Sequence, residues 1–195
     1  MDLYTVVSWL KQHTLFQGIP DHEIEWIARN MEVCAFEPNS KLMTEQDLST
    51  DCYILVQGRV SVASSNLVGQ TLTLAELGAG EIVGEMGLIR QETRSASIVA
   101  IDSVTALKLN YYLFKRLSEL SPLFYESVLV TVRLRYIHSL LRKATIWSTI
   151  PDSELRGIAE ISQLMTYEPG QMIVQQGETI SSLFMICSGS IELRS

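Results

Sequence analysis

The sequence predicts a mainly β fold: an antiparallel, jelly-roll-like β-roll with N-terminal helices and a long C-terminal helix, followed by the first half of a second such unit. Three observations carry this expectation. Residues 33–109 break into short β-branched runs divided by turn residues, a spacing that favours a roll or barrel over alternating βαβ units. Helical periodicity brackets that stretch on both sides. Residues 14–62 also align with residues 145–193 at a constant offset of 131 without a gap, which reads as a duplication.

The elements follow in order. Leu3, Val6, Val7 and Leu10 form a helical stripe over 3–12, with Asp2 as its N-cap. Pro20-Asp21 opens a short helix to about Asn30, with Ile24, Ile27 and Ala28 on one face. Strands are expected at 33–37, 41–44, 52–57, 59–64, 70–77 and 95–109. Their turn signals are Pro38-Asn39, Gln57-Gly58, Asn66, Gly69, Gly78-Ala79-Gly80 and Asp102-Ser103. Asn110 caps a helix to about Glu119. Ser121-Pro122, an N-cap followed by Pro at N1, starts a long helix to about Lys143. Its basic residues Arg133, Arg135, Arg142 and Lys143 suit the negative pole of the helix dipole.

Within the repeat, ten positions are identical, among them Thr14, Ile19, Pro20, Asp21, Glu37, Pro38 and Gly58 and their partners. Domain boundaries follow: an N-terminal helix at 1–13, a complete unit at 14–144 and the opening part of a second at 145–195. The second unit stops early, so the chain is expected to be a fragment of a longer protein. Cys34, Cys52 and Cys187 face Met165, Leu183 and Val56 across the repeat, so all three are expected in the core. They include no C-x-x-C, and the histidines share no i, i+4 spacing. Neither a disulfide framework nor a metal site is indicated, and reduced thiols fit a cytoplasmic protein.

Composition excludes several classes. Lys and Arg number 15 against 22 Asp and Glu, a net charge of −7, which argues against nucleic-acid binding by these residues. No apolar run is long enough for a transmembrane helix, and the N-terminus lacks the features of a secretory signal. Gly78-Ala79-Gly80-Glu81-Ile82-Val83-Gly84 misses the dinucleotide fingerprint by one residue and lies in β-rich surroundings. With no G-x-S-x-G or H-E-x-x-H either, enzymatic activity is not expected.

The stretch Gly84-Glu85-Met86-Gly87-Leu88-Ile89, then Arg94-Ser95-Ala96, carries the chemistry. A short helical turn beginning near Glu85 offers backbone N–H groups to an anion. Gly84 and Gly87 permit close backbone approach. Glu85 offers a carboxylate to a sugar hydroxyl, Arg94 a guanidinium fork to a phosphate, and Ser95 a further donor. The alternative is an ordinary surface ion pair on a Gly-rich turn.

This pattern resembles the phosphate-binding cassette of the cyclic nucleotide-binding domain family, which includes the bacterial catabolite activator and the regulatory subunits of cAMP-dependent protein kinase. The resemblance implies that Glu85 holds the ribose 2′-hydroxyl and Arg94 the cyclic phosphate, with Gly84, Met86, Gly87, Ser95 and Ala96 completing the ligand site. It covers nearly the whole chain, and Gln175-Gln176-Gly177-Glu178 matches the family's early turn. Val83 stands where the family has an aromatic, and Gln46 replaces the glycine found at Gly177.

The function implied is a regulatory module that binds cAMP, favoured over cGMP, and relays occupancy through its C-terminal helix to an output module elsewhere. The alternative is a ligand-free interaction module of the same fold. Base contacts are expected from Tyr136, Ser139 or Leu140 on the long helix. The counterparts of Glu85 and Arg94 in the second unit would fall at positions 216 and 225, so one nucleotide per chain is expected. The apolar side chains of 145–195 are expected to promote self-association.

Overall fold

The computed structural model describes residues 1–194 except 49–50, 66–68, 91, 148 and 180; the expected turn residue Asn66 lies outside the described residues. Helix α1 (Leu3–Gln12) is capped by the Asp2 carboxylate, which accepts from the Thr5 N–H at 2.8 Å. A 3-10 turn (Thr14–Phe16) and α2 (Asp21–Asn30) complete the N-terminal layer. Strands β1 (Glu32–Phe36), β2 (Lys41–Met43), β3 (Asp51–Gln57), β4 (Val60–Ser65), β5 (Thr71–Leu77) and β6 (Ile82–Val83) follow. The chain then forms α3 (Glu85–Arg90), β7 (Ser97–Ala100) and β8 (Val104–Asn110). Helices α4 (Tyr111–Leu120) and α5 (Pro122–Lys143) are capped by Asn110 and Ser121 as the sequence predicts.

The strands form two antiparallel sheets, ordered β1-β8-β3-β6 and β2-β7-β4-β5. Between them lies a core that includes Leu55, Val60, Val83, Ile98 and Ala106. A second core joins the first sheet to the helices: Ile54, Leu107 and Leu109 meet Leu10, Ile24, Ile27, Leu88, Leu117 and Phe124. Phe124 is buried between Phe16 and Phe114, with ring centroids 6.0 and 5.7 Å away. Burial of an aromatic this complete stabilises by several kcal/mol, about 3–5 if truncated to Ala, so the start of α5 is fixed to the roll.

Some local elements recur at the offset of the sequence repeat. A second 3-10 turn (Thr145–Trp147) and α6 (Asp152–Ile161) reproduce the first turn and α2 at the offset of 131. The left-handed backbone at Asn39, Gln46 and Gly58 recurs at Gly170, Gly177 and Gly189. At the same offset, Val6 and Leu10 of α1 correspond to Ile137 and Leu141 of α5, and all four are buried.

Two expectations need correction. Among the described residues, 162–194 contain no strand, so the expected half-roll of a second unit is not formed there. The pairing explains this: β1 pairs with β8, β2 with β7, β3 with β6 and β8, and β4 with β5 and β7. Every partner of β1 to β4 lies within 71–110, and none of the described residues of 162–194 pairs in a sheet. Unpaired strands lack the hydrogen bonds and the buried face that hold a sheet together. The cysteines divide accordingly: Cys52 is buried, Cys34 is partly exposed at the edge strand β1, and Cys187 is exposed.

Candidate functional site

Glycine 84 turns the chain from β6 into α3 with a φ of +82°, a left-handed conformation that favours glycine. A Cβ there would collide with the Met43 side chain and approach Nη1 of Arg94 at 3.0 Å; one at Gly87 would lie 2.9 Å from the same nitrogen. The two glycines therefore make room for the guanidinium of Arg94, a more specific role than general access for a phosphate.

Arg94 reaches back from the loop after α3. Its side chain is buried, with the residue 4% exposed. Nη1 donates to the Gly84 carbonyl at 2.7 Å and Nη2 to the Asp51 carbonyl. Burial lowers the pKa of this guanidinium from its ordinary value, opposed by nearby Cys52 and Asp51; an arginine remains protonated regardless. One cation is thus fixed between α3 and the start of β3.

Glu85, the first residue of α3, is 2% exposed. Its Oε1 accepts from Nη1 of Arg135 on α5 at 2.8 Å. The same guanidinium donates to the Ile82 carbonyl and, through Nη2, to Glu81 at 3.2 Å. Arg135 therefore ties the long helix to the segment that carries the candidate sugar ligand. It lies outside the last turn of α5, whose basic residues are Arg142 and Lys143, so the helix dipole does not account for it.

All the sequence-predicted site residues line one cavity: Gly84, Glu85, Met86, Gly87, Arg94, Ser95 and Ala96. It encloses about 650 Å³ when its solvent-open mouth is counted. Its floor is apolar, with Val62, Leu74 and Ile98 from the second sheet, and Arg135, His138 and Ser139 of α5 form one wall. Of the expected base contacts, Ser139 lines the cavity. Tyr136 instead stacks under Arg90, 4.3 Å from ring centroid to guanidinium, and Leu140 is not among the lining residues. Sequence reasoning missed Arg135 and His138. Their spacing with Ser139, i, i+3 and i+4, places all three on one helix face.

A buried fixed cation, a carboxylate and an apolar floor around one cavity define a small-ligand module on a β-roll. Residues 33–120 match the family model of the cyclic nucleotide-binding domain. The cyclic AMP receptor protein of Thermus thermophilus is 32% identical over 100 residues, covering 51% of this chain and 46% of the relative. Human cGMP-dependent protein kinase 2 is 21% identical over 188 residues, 96% of this chain and 23% of the kinase. The matches thus span less than half of either relative. A solved cyclic nucleotide-binding domain from Methylobacillus flagellatus shares the fold, with a TM-score of 0.59 and 23% identity over 73% of this chain and 84% of that one. No described helix is long and apolar enough to cross a membrane.

Proposed function

We propose that the chain is a regulatory module whose cavity binds a cyclic nucleotide, cAMP in preference to cGMP, and relays occupancy through α5 to an output module. The observation that carries this reading is the buried Arg94 guanidinium set beside Gly84, Glu85 and Gly87 in one cavity. In the proposed complex Arg94 and the backbone at the start of α3 receive the cyclic phosphate, and Ser95 adds a hydroxyl. Glu85 receives the ribose hydroxyl. A carboxylate accepts several hydrogen bonds, so Glu85 can hold Arg135 and the sugar together, and the ligand thereby bears on α5. The higher identity of the cAMP receptor protein than of the cGMP kinase supports the base preference.

The relay uses the helical core. Leu88 of α3, Phe114 and Leu117 of α4, and Phe124 of α5 share one packed cluster, so a shift of α3 repacks the helices as a population shift between two arrangements. We place the first unit at 14–144 and read the rest as the opening of a second, supported by the repeated turns and by a kinase match that runs through most of the chain. Exposed Leu183, Phe184 and Ile186 support self-association through that stretch, which light scattering across micromolar concentrations tests. Unpaired thiols support a cytoplasmic location.

A second reading, a ligand-free interaction module, draws on the internal pairing of Arg94 with backbone carbonyls and of Glu85 with Arg135. Equilibrium binding of a fluorescent cAMP analogue separates the two. Saturable binding displaced by cAMP supports the first reading; its absence supports the second.

A further inference from the structure

We infer that His138 and Asp152 couple the nucleotide cavity to helix α6, so that the seating of α6 sets ligand affinity and occupancy sets the seating of α6. The ligand half of this inference rests on the function proposed above. His138 lies on α5, is 8% exposed and lines the cavity. Its Nε2 lies 2.9 Å from Oδ1 of Asp152, the first residue of α6. A carboxylate only accepts, so the imidazole donates.

The duplication shows what this contact adds. In the first copy α2 sits on α1 through Val6, Leu10, Ile24 and Ala28, with Lys11 paired to Asp21 at 2.8 Å. In the second copy α6 sits on α5 through the matching Ile137, Leu141, Leu155 and Ala159, with Arg142 at 3.9 Å from Asp152. The apolar seam and the ion pair are therefore common to both. At the position of His138, however, the first copy has Val7. The second copy has placed a polar ring where the repeat carries an apolar side chain, on a helix that also walls the cavity.

A polar group this buried is costly without a hydrogen-bond partner. Asp152 supplies one, and is itself held by Arg156 at 2.9 Å. With α6 seated, the His138 ring has a fixed orientation in the cavity wall. With α6 displaced, the ring loses that partner and the wall loses its shape. Coupling between two binding equilibria is reciprocal, so a nucleotide that needs the ordered wall also favours the seated helix. Asp152 acts here as a positioning residue, through His138 and without touching the cavity.

The test compares Asp152→Ala with Arg156→Gln in the full chain. Arg156→Gln removes another partner of Asp152 and leaves the bond to His138. Asp152→Ala should weaken cAMP binding about fivefold or more, Arg156→Gln should leave it unchanged, and Asp152→Ala should add nothing in a His138→Val background. Wild-type affinity in Asp152→Ala, or the same loss with His138 already removed, overturns the coupling. A nucleotide-free arm separates this from failure of the ligand reading. By hydrogen exchange, Asp152→Ala should raise exchange in 152–161 and also in 84–90 and 134–140. If the wild type has no affinity for cAMP, the ligand reading fails and this arm decides alone: a change confined to 152–161 overturns the inference.

Discussion

Removing Arg135 tests the tie between α5 and the site. Glu85 is almost fully buried, and its carboxylate is 2.8 Å from the Arg135 guanidinium. Breaking a buried ion pair from one side costs about 3–5 kcal/mol, because the remaining charge is left without compensation. The Arg135 side chain is 25% exposed, so water offsets part of that cost. For Arg135→Ala a loss of about 2–3 kcal/mol of unfolding free energy is expected. At a urea dependence of about 2 kcal/mol per molar, the midpoint falls by about 1–1.5 M. Glu85→Gln in the same chain neutralises the stranded charge, so the double variant should recover more than half of the loss. Urea unfolding of wild type, both single variants and the double variant completes the cycle. A cost below about 0.5 kcal/mol, or strictly additive effects, would refute the view that Arg135 and Glu85 form one buried unit.

Three other outcomes follow from the same geometry. Arg94→Ala should abolish nucleotide binding and, because it strips donors from the Gly84 and Asp51 carbonyls, should also lower stability by about 1–3 kcal/mol; Glu85→Ala should weaken binding less, and equal affinities for wild type and Arg94→Ala would contradict the site. Burial pushes the Cys52 thiol well above its ordinary pKa, so native alkylation should label exposed Cys187 and spare Cys52, as mass spectrometry of the peptides will show. Burial opposes the charge on Asp152, but hydrogen bonds from Arg156 and His138 outweigh it and hold its pKa below the ordinary value. Its contribution to seating α6 is then full above about pH 4 and is lost as pH falls through the lowered value. Trp147 fluorescence in a chain with Trp9 and Trp26 replaced by Phe should follow this loss, and an unchanged acid transition in Asp152→Ala would count against it.

Much of the fold was legible because its signals are local. The starts of α1, α4 and α5 were marked by side chains favoured at N-caps, Asp2, Asn110 and Ser121. The cassette was legible for the same reason, since Glu85 and Arg94 lie on one short segment. Strand β6 was missed because two residues, Ile82–Val83, carry no periodicity. Strand formation and the burial of residues such as Cys52 depend on pairing across 48 to 76 residues, which apolar pattern alone does not report, so neither the absence of strands among the described residues of 162–194 nor the exposure of Cys187 was legible. In the sequence Arg135 is only a charge suited to the helix dipole and nothing marks a partner for His138, because Glu85 and Asp152 are distant in sequence and meet them only when α3 and α6 pack on α5.

The central claim is that the cavity takes a cyclic nucleotide on Arg94. Calorimetric titration of the chain with cAMP and with cGMP, alongside Arg94→Lys, tests it most directly. Lysine keeps the charge and loses the planar fork. The account predicts a saturable heat at one nucleotide per chain, tighter for cAMP, and a loss of at least tenfold in Arg94→Lys, about 1.4 kcal/mol. No heat with either nucleotide, or equal affinity in Arg94→Lys, would contradict it.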